Sequence, residues 1–227
     1  MNIRTFPSRE QLSAELAESL AQCVMHAVER TGAATLVVPG GSTPALLLPA
    51  FAAMDLPWSC VTLLLSDERR VAVDDARRNE SATRRTFAEP LRQGARLQSF
   101  DAWTQAGNDD VPVSMLAGLQ LPFAAVLLGM GEDGHFASLF PGSQALARGL
   151  DPDSGLGLVH VPDAPDGVPR DSLCLPALVN SARLYLLTTG QSKLDVLREV
   201  RAGNAAHLPI ASLAGWMRRD DHVYWAA

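Results

Sequence analysis

An imidazole and a carboxylate two residues apart, set among three glycines, make the most chemically loaded stretch of this chain. Residues 129 to 143 read Gly-Met-Gly-Glu-Asp-Gly-His-Phe-Ala-Ser-Leu-Phe-Pro-Gly-Ser. His135 carries the side chain best suited to take a proton near neutral pH, and the carboxylate of Asp133 stands two positions away. Gly129, Gly131 and Gly134 let the backbone turn tightly and approach a ligand, because glycine has no Cβ. The other histidines (His26, His160, His207 and His222) have no comparable glycine and acid context. Ser42, Ser66 and Ser138 lie outside a Gly-x-Ser-x-Gly elbow, which disfavours an acyl-serine route. No cluster of His, Cys and Asp has zinc spacing, so the pattern gives a metal mechanism little support. By elimination, the economical chemistry is a water molecule activated by His135.

A second group of residues is suited to holding an anion. Gly40-Gly41-Ser42-Thr43 precedes Pro44, a residue favoured at the first position of a helix. Free backbone N–H groups at such a start, with two hydroxyls beside them, suit a phosphate. Arg69 and Lys193 are the nearest cations, and Arg170, from a Pro-rich stretch, is a third. Lys193 is the one lysine in the chain. Base composition alone would explain that; the sharper reading is that position 193 needs a compact ammonium rather than a planar fork. Asp67 and Glu68 are open to three roles: catalysis, orientation of Arg69, or capping of a following helix. Arg70, Arg77 and Arg78 are expected to be solvated charges or partners of Asp74 and Asp75.

These residues need a frame that brings them together. Leu12, Leu16, Leu20 and Val24 recur every four residues, so residues 8 to 31 read as an amphipathic helix. Short apolar runs follow: Leu36-Val37-Val38, Val61 to Leu65, Ala124 to Leu128, and Leu184 to Leu187. Each runs directly into one of the polar clusters, and helical patterns separate several of them. Continuous apolar strands fit a sheet covered on both faces. The pattern predicts a three-layer α/β/α fold, a mainly parallel Rossmann-like sheet with helices on both faces. The loops after parallel strands land on one edge, where open α/β sheets bind ligands. Residues 89 to 120 suggest a peripheral strand and helix. Residues 149 to 171, dense in Asp, Gly and Pro, suggest a long loop or a strand with flanking loops. No repeat or linker divides the chain, so residues 1–227 read as a single domain.

Gly129, Gly131 and Gly134 also match the dinucleotide pattern Gly-x-Gly-x-x-Gly, a weak signal alone. Pro141 limits any helix after it, and no second strand ends in an acidic residue about 20 positions on, so a nicotinamide enzyme is disfavoured. The formal charge of −6 argues against nonspecific nucleic-acid binding. No apolar run approaches the roughly 20 residues that a membrane-spanning helix needs. Cys23, Cys60 and Cys174 are scattered and odd in number, which suggests reduced thiols in a cytoplasmic protein; Cys174, between two leucines, reads as core.

Taken together, Gly40 to Pro44, Ser66-Asp67-Glu68-Arg69, the block from Gly129 to Ser143, and Gly190 with Lys193 resemble the 6-phosphogluconolactonase family. That family sits in the superfamily that includes glucosamine-6-phosphate deaminases. The resemblance implies hydrolysis of 6-phospho-D-glucono-1,5-lactone to 6-phosphogluconate in the oxidative pentose phosphate pathway, with no metal and no organic cofactor. It implies His135 as the base that activates water, with Asp133 as its orienter or polar neighbour. Substrate phosphate contacts would come from Gly41 to Thr43, Arg69 and Lys193, and Arg170 matches an arginine that precedes a Thr- or Ser-containing strand, here Ser172. Backbone N–H groups of Gly129 to Gly134 would face the developing oxyanion. Phe136 stands where the family usually has threonine, Arg78 where serine often precedes the asparagine matched by Asn79, and Asp171 where an aliphatic residue is usual. Phe136 and Asp171 are therefore expected to reshape the pocket. The deaminase relatives typically carry Asn-Glu-Pro after the Gly-His segment; here Leu139-Phe140-Pro141 lacks that carboxylate. A non-catalytic sugar-phosphate sensor would need an appended DNA-binding module, and the N-terminus offers one helix and no basic helix-turn-helix. The expected partner is a small phosphorylated sugar lactone, bound by a monomer or weak homodimer.

Overall fold

The computed structural model describes residues 1–41, 44–104 and 109–227. Its strands are β1 (Asn2–Phe6), β2 (Ala34–Val38), β3 (Val61–Leu65), β4 (Asp67–Arg69), β5 (Arg96–Gln98), β6 (Val111–Pro112), β7 (Ala125–Gly129), β8 (Leu156–Val161), β9 (Arg170–Leu173), β10 (Leu184–Thr189) and β11 (His222–Ala226). The helices are α1 (Arg9–Thr31), α2 (Pro44–Ala52), α3 (Asn79–Thr86), α4 (Ala88–Arg92), α5 (Asp101–Thr104), α6 (Leu146–Leu150), α7 (Leu175–Val179), α8 (Gln191–Ala202) and α9 (Pro209–Trp216).

Among the described residues the central sheet has seven strands in the order β1-β11-β10-β7-β2-β3-β5. All of its pairings are parallel. The four apolar runs read from the sequence are β2, β3, β7 and β10, and they lie side by side in its middle. All of β2, and all of β7 before its closing glycine, is buried, as expected when both faces are covered. From β2 the chain grows toward β3 and β5; from β7 it grows toward β10 and β11. The direction of growth therefore reverses between β2 and β7. At such a reversal the loops leave to opposite sides and open a crevice at the strands' C-terminal ends.

Helix α1 shows why local sequence suffices for part of this frame. The Ser8 hydroxyl accepts a hydrogen bond from the Gln11 N–H at 3.2 Å and caps its start. Gly32, at φ 80°, ends it in the left-handed region, with its N–H donated to Val28 O. Leu12, Leu16, Leu20 and Val24 are buried against the sheet, and α1 packs on β2, β7, β11 and α2. Truncating one of these leucines to alanine is expected to cost about 2–5 kcal/mol.

A second sheet, antiparallel in the order β4-β9-β8-β6, is the main feature that the sequence pattern did not foretell. Ser66 is the joint between the two. Its N–H donates to Val38 O beside the parallel sheet, and its carbonyl accepts from Leu173 N beside the antiparallel one. Residues 67 to 69, read as part of a polar loop, are thus a short strand, and Arg170 to Leu173 pairs with it. The 149–171 stretch contains β8 with flanking loops, and the described residues of 89–120 include β5, β6 and short helices.

Candidate active site

The loops after β2, β3, β7 and β10 meet over that crevice, with β9 closing one side. The cleft has a volume of about 230 Å³ and is lined by Gly40, Gly41, Asp67, Arg69, Asn79, Gly131, His135, Arg170 and Lys193, among others. Most of the residues singled out from sequence therefore share one surface. Ser42 and Thr43 lie outside the described residues, and Asp133 stands behind His135.

The loop after β7 fixes the imidazole. Asp133 Oδ1 is 2.6 Å from His135 Nδ1 and also accepts from the His135 backbone N–H at 3.1 Å. A carboxylate is an acceptor, so this contact places the ring proton on Nδ1 and leaves the Nε2 lone pair for chemistry. The ring packs on Phe140 with centroids 4.5 Å apart. Gly131 runs directly beneath: a Cβ there would lie 2.2 Å from His135 Nδ1 and 2.5 Å from Asp133 Oδ1. Glycine at 131 is thus a condition for the Asp–His pair.

The same loop alters the expectation for oxyanion donors. The Gly131 N–H is donated to His135 O, and the Gly134 N–H to Gly131 O. Both hold the loop's own turn. Ala137, at φ 47°, is a left-handed non-glycine residue on the cleft wall, a conformation that costs of order 1 kcal/mol or more and clusters at functional sites.

The opposite wall is cationic. Arg69 and Arg170 are directly opposite each other across the β4–β9 pairing. Like charges at such a position repel, and both side chains bury an Nε with no partner among the described residues. Arg69 donates from Nη1 to Arg77 O at 2.6 Å. Arg170 pairs with Asp166, lies over the Phe140 ring at 5.3 Å, and has Nη1 3.9 Å from Asp67. Two facing guanidiniums with spare donors, and Lys193 on the same cleft, suit an anion with several oxygens.

Asp67 and Glu68 resolve differently. Asp67 is buried and accepts from Ser66 Oγ at 2.9 Å and Ser138 Oγ at 2.6 Å, while the Ser138 N–H donates to Ser172 Oγ at 3.1 Å. These bonds tie the His135 loop to the arginine wall. Glu68 points away from the cleft and caps a helix. Its carboxylate accepts from the backbone N–H groups of Arg69 (2.7 Å), Asn79 (2.8 Å) and Glu80 (2.6 Å). Burial pushes its carboxyl up from the usual range, against those three donors and nearby Arg78.

Several surroundings correct the sequence reading. Arg78 is buried, with Nη2 3.1 Å from Glu80 and 2.6 Å from Asp101, and is no solvated surface charge. Arg70 grips Asp171 at 2.8 and 2.9 Å, with Asp109 beyond at 3.2 Å; Arg77 pairs with Asp75 as expected. Alternation along β9 turns Asp171 to the face opposite Arg170, so it does not reshape the cleft. Phe136 is wholly buried in the core and does not line the cleft either. Asn79, Ser138 and Ala137 are contributors that the sequence reading did not assign. Cys174 is core, its thiol pushed up to about 12 by burial. Among the described residues no group of His, Cys, Asp and Glu is arranged to hold a metal ion, and no helix is long and apolar enough to cross a membrane.

Residues 7–225 match the model of the glucosamine-6-phosphate isomerases/6-phosphogluconolactonase family. The chain is 36% identical to a 6-phosphogluconolactonase of Caulobacter vibrioides, covering 100% of this chain and 97% of that one. It is 32% identical to one of Rhizobium meliloti, over 99% and 98%. A solved 6-phosphogluconolactonase from Shewanella baltica superimposes with a TM-score of 0.87 at 29% identity, over 100% and 98%. A monomeric glucosamine-6-phosphate deaminase, 18% identical with a TM-score of 0.69 over 100% and 97%, shares the fold. The chain belongs to the glucosamine-6-phosphate isomerase/6-phosphogluconolactonase family.

Proposed function

We propose that this chain hydrolyses 6-phospho-D-glucono-1,5-lactone to 6-phosphogluconate. The observation that carries the reading is one cleft holding both an Asp133–His135 pair and a cationic wall of Arg69, Arg170 and Lys193. The wall suits the phosphate and the imidazole suits the lactone carbonyl. Anchoring through the phosphate turns remote binding energy into orientation of the ester carbon. His135 Nε2 takes a proton from water as the oxygen attacks that carbon. Asp133 steadies the imidazolium formed, which then returns the proton to the departing ring oxygen. The ring opens and the carbonyl becomes a carboxylic acid, which loses its proton to water to give the carboxylate; no electron changes hands.

The ends of four parallel strands, together with β9, supply the residues, which supports reading residues 1–227 as one functional domain. With this activity go a monomer or weak homodimer and a place in the cytoplasm, where sugar phosphates are metabolised.

The deaminase alternative is disfavoured at one place. The imidazole packs on Phe140, and Leu139-Phe140-Pro141 has no carboxylate for the proton shuttle that reaction needs. The test follows loss of freshly generated lactone above its spontaneous rate, with ammonia release from glucosamine 6-phosphate assayed in parallel. Fast lactone loss without ammonia is expected. Ammonia release, or lactone loss at the spontaneous rate alone, would overturn the proposal.

A further inference from the structure

We propose that Glu68, which does not line the cleft, is a positioning residue that sets the phosphate-binding wall through Asn79. Its carboxylate is buried and receives three backbone N–H groups at 2.6 to 2.8 Å, one from Arg69 on β4 and two from the first turn of α3. The acid therefore welds the strand that carries Arg69 to the start of a helix ten residues later.

Asn79, the first residue of that helix, carries the weld to the β2 loop. Its Nδ2 donates to the Asp67 carbonyl at 3.0 Å. Its amide fills the space above Gly40, where a Cβ would lie 2.2 Å from Oδ1. Asn79 thus touches both ends of the wall, the Asp67 backbone on one side and the glycine turn on the other. A shift of the α3 start moves the Gly40–Gly41 turn and Arg69 together. The segment between them passes Arg77, whose carbonyl accepts from Arg69 Nη1 at 2.6 Å, so the guanidinium is steadied from the same clamp.

The bonds that aim the His135 ring lie within its own loop after β7, and that loop joins the arginine wall through Ser138 rather than through Glu68 or Asn79. Loss of the clamp therefore weakens substrate capture more than the chemical step. A glutamine at 68 keeps the shape but turns an NH2 toward backbone donors, which cannot be accepted. This inference rests on the lactonase reading, and the experiment separates the two.

The test compares wild type, Glu68→Gln, Asn79→Ala, the double variant, and Arg84→Gln as a control. Arg84 holds the Glu80 side chain from the exposed face of α3 and makes no hydrogen bond to Glu68, Asn79 or Arg69. For Glu68→Gln and Asn79→Ala, KM for the phosphorylated lactone and Kd for 6-phosphogluconate are expected to rise about tenfold or more. Meanwhile kcat should stay within about threefold of wild type. Because both residues act through one chain, the double variant should be scarcely worse than either single one. Arg84→Gln should keep wild-type KM.

A lowered Tm with unchanged KM and Kd would reduce Glu68 to a structural cap and overturn the proposal; so would additive losses. If Glu68→Gln does not fold, Asn79→Ala with unchanged Kd would overturn it equally. A wild-type chain without lactonase activity would instead defeat the functional reading, and 6-phosphogluconate binding by the variants would still judge the clamp.

Discussion

The two walls of the cleft are built in opposite ways. The His135 wall is local: the bonds that aim the imidazole join residues two to four positions apart within Gly131 to His135. The arginine wall is assembled from afar: Arg69 faces Arg170 across two strands, Asp67 is held by Ser138, and Glu68 reaches to Asn79 and Glu80. The first wall suits proton transfer, which needs one ring in one orientation. The second suits an anion, which needs several donors converging from different elements. Chemistry and capture should therefore be separable by mutation.

The largest expected effect is on the local wall. His135→Ala should lower kcat by at least about 100-fold while 6-phosphogluconate still binds; steady-state rates with calorimetric binding check it. Asp133→Asn should follow, with kcat lowered about 10- to 100-fold. An amide can present NH2 to Nδ1 and favour the wrong tautomer, and the pH–rate profile would change shape with it.

The distant wall should answer in KM. Lys193→Ala loses one charge-assisted contact, worth roughly 1.5–3 kcal/mol, so KM for the phosphorylated lactone should rise by about tenfold or more. A non-phosphorylated lactone should be nearly unaffected. Equal losses for both substrates would mean that Lys193 does not read the phosphate, and the contrast between walls would blur.

That contrast also explains what could be read from the chain. Helix α1 and the four central strands follow from apolar spacing and short apolar runs, which are local signals. The Asp133–His135 pair was legible because its residues lie two positions apart. Strand β4 was not, since Asp-Glu-Arg has little strand propensity and becomes a strand by pairing with β9. With β4 unseen, nothing in the sequence could pair Arg69 with Arg170, aim Asp171 away from the cleft, or bury Arg78 between Glu80 and Asp101. Asn79 matched a family position, yet its packing against Gly40 depends on a helix start that only the assembled wall defines.

The smallest expected effect is on stability against pH, and it sharpens the comparison within the distant wall. Burial raises the Glu80 carboxyl, but hydrogen bonds from Ser99, Arg84 and Arg78 outweigh it and hold the group below its ordinary value. Its stabilisation is thus present above the unfolded value and lost as pH falls through the folded one. Glu68, raised by burial, has the opposite sign: its contribution is full below the unfolded value and lost as pH rises through the folded one. Glu80→Gln should therefore lower stability near neutral pH by about 0.5–1 kcal/mol, discounted for solvent screening, and flatten the acid side of a Tm-against-pH curve. A steeper acid side would contradict that sign.

The most direct test of the central claim compares two lactones on the unmodified chain: 6-phosphogluconolactone and gluconolactone, each followed as loss above the spontaneous rate. The account predicts hydrolysis of the phosphorylated lactone with kcat/KM at least about 100-fold above that for the plain one, most of the difference lying in KM. Equal values, or no acceleration of the phosphorylated lactone, would contradict a cleft in which one wall captures a phosphate and the other hydrolyses the ester.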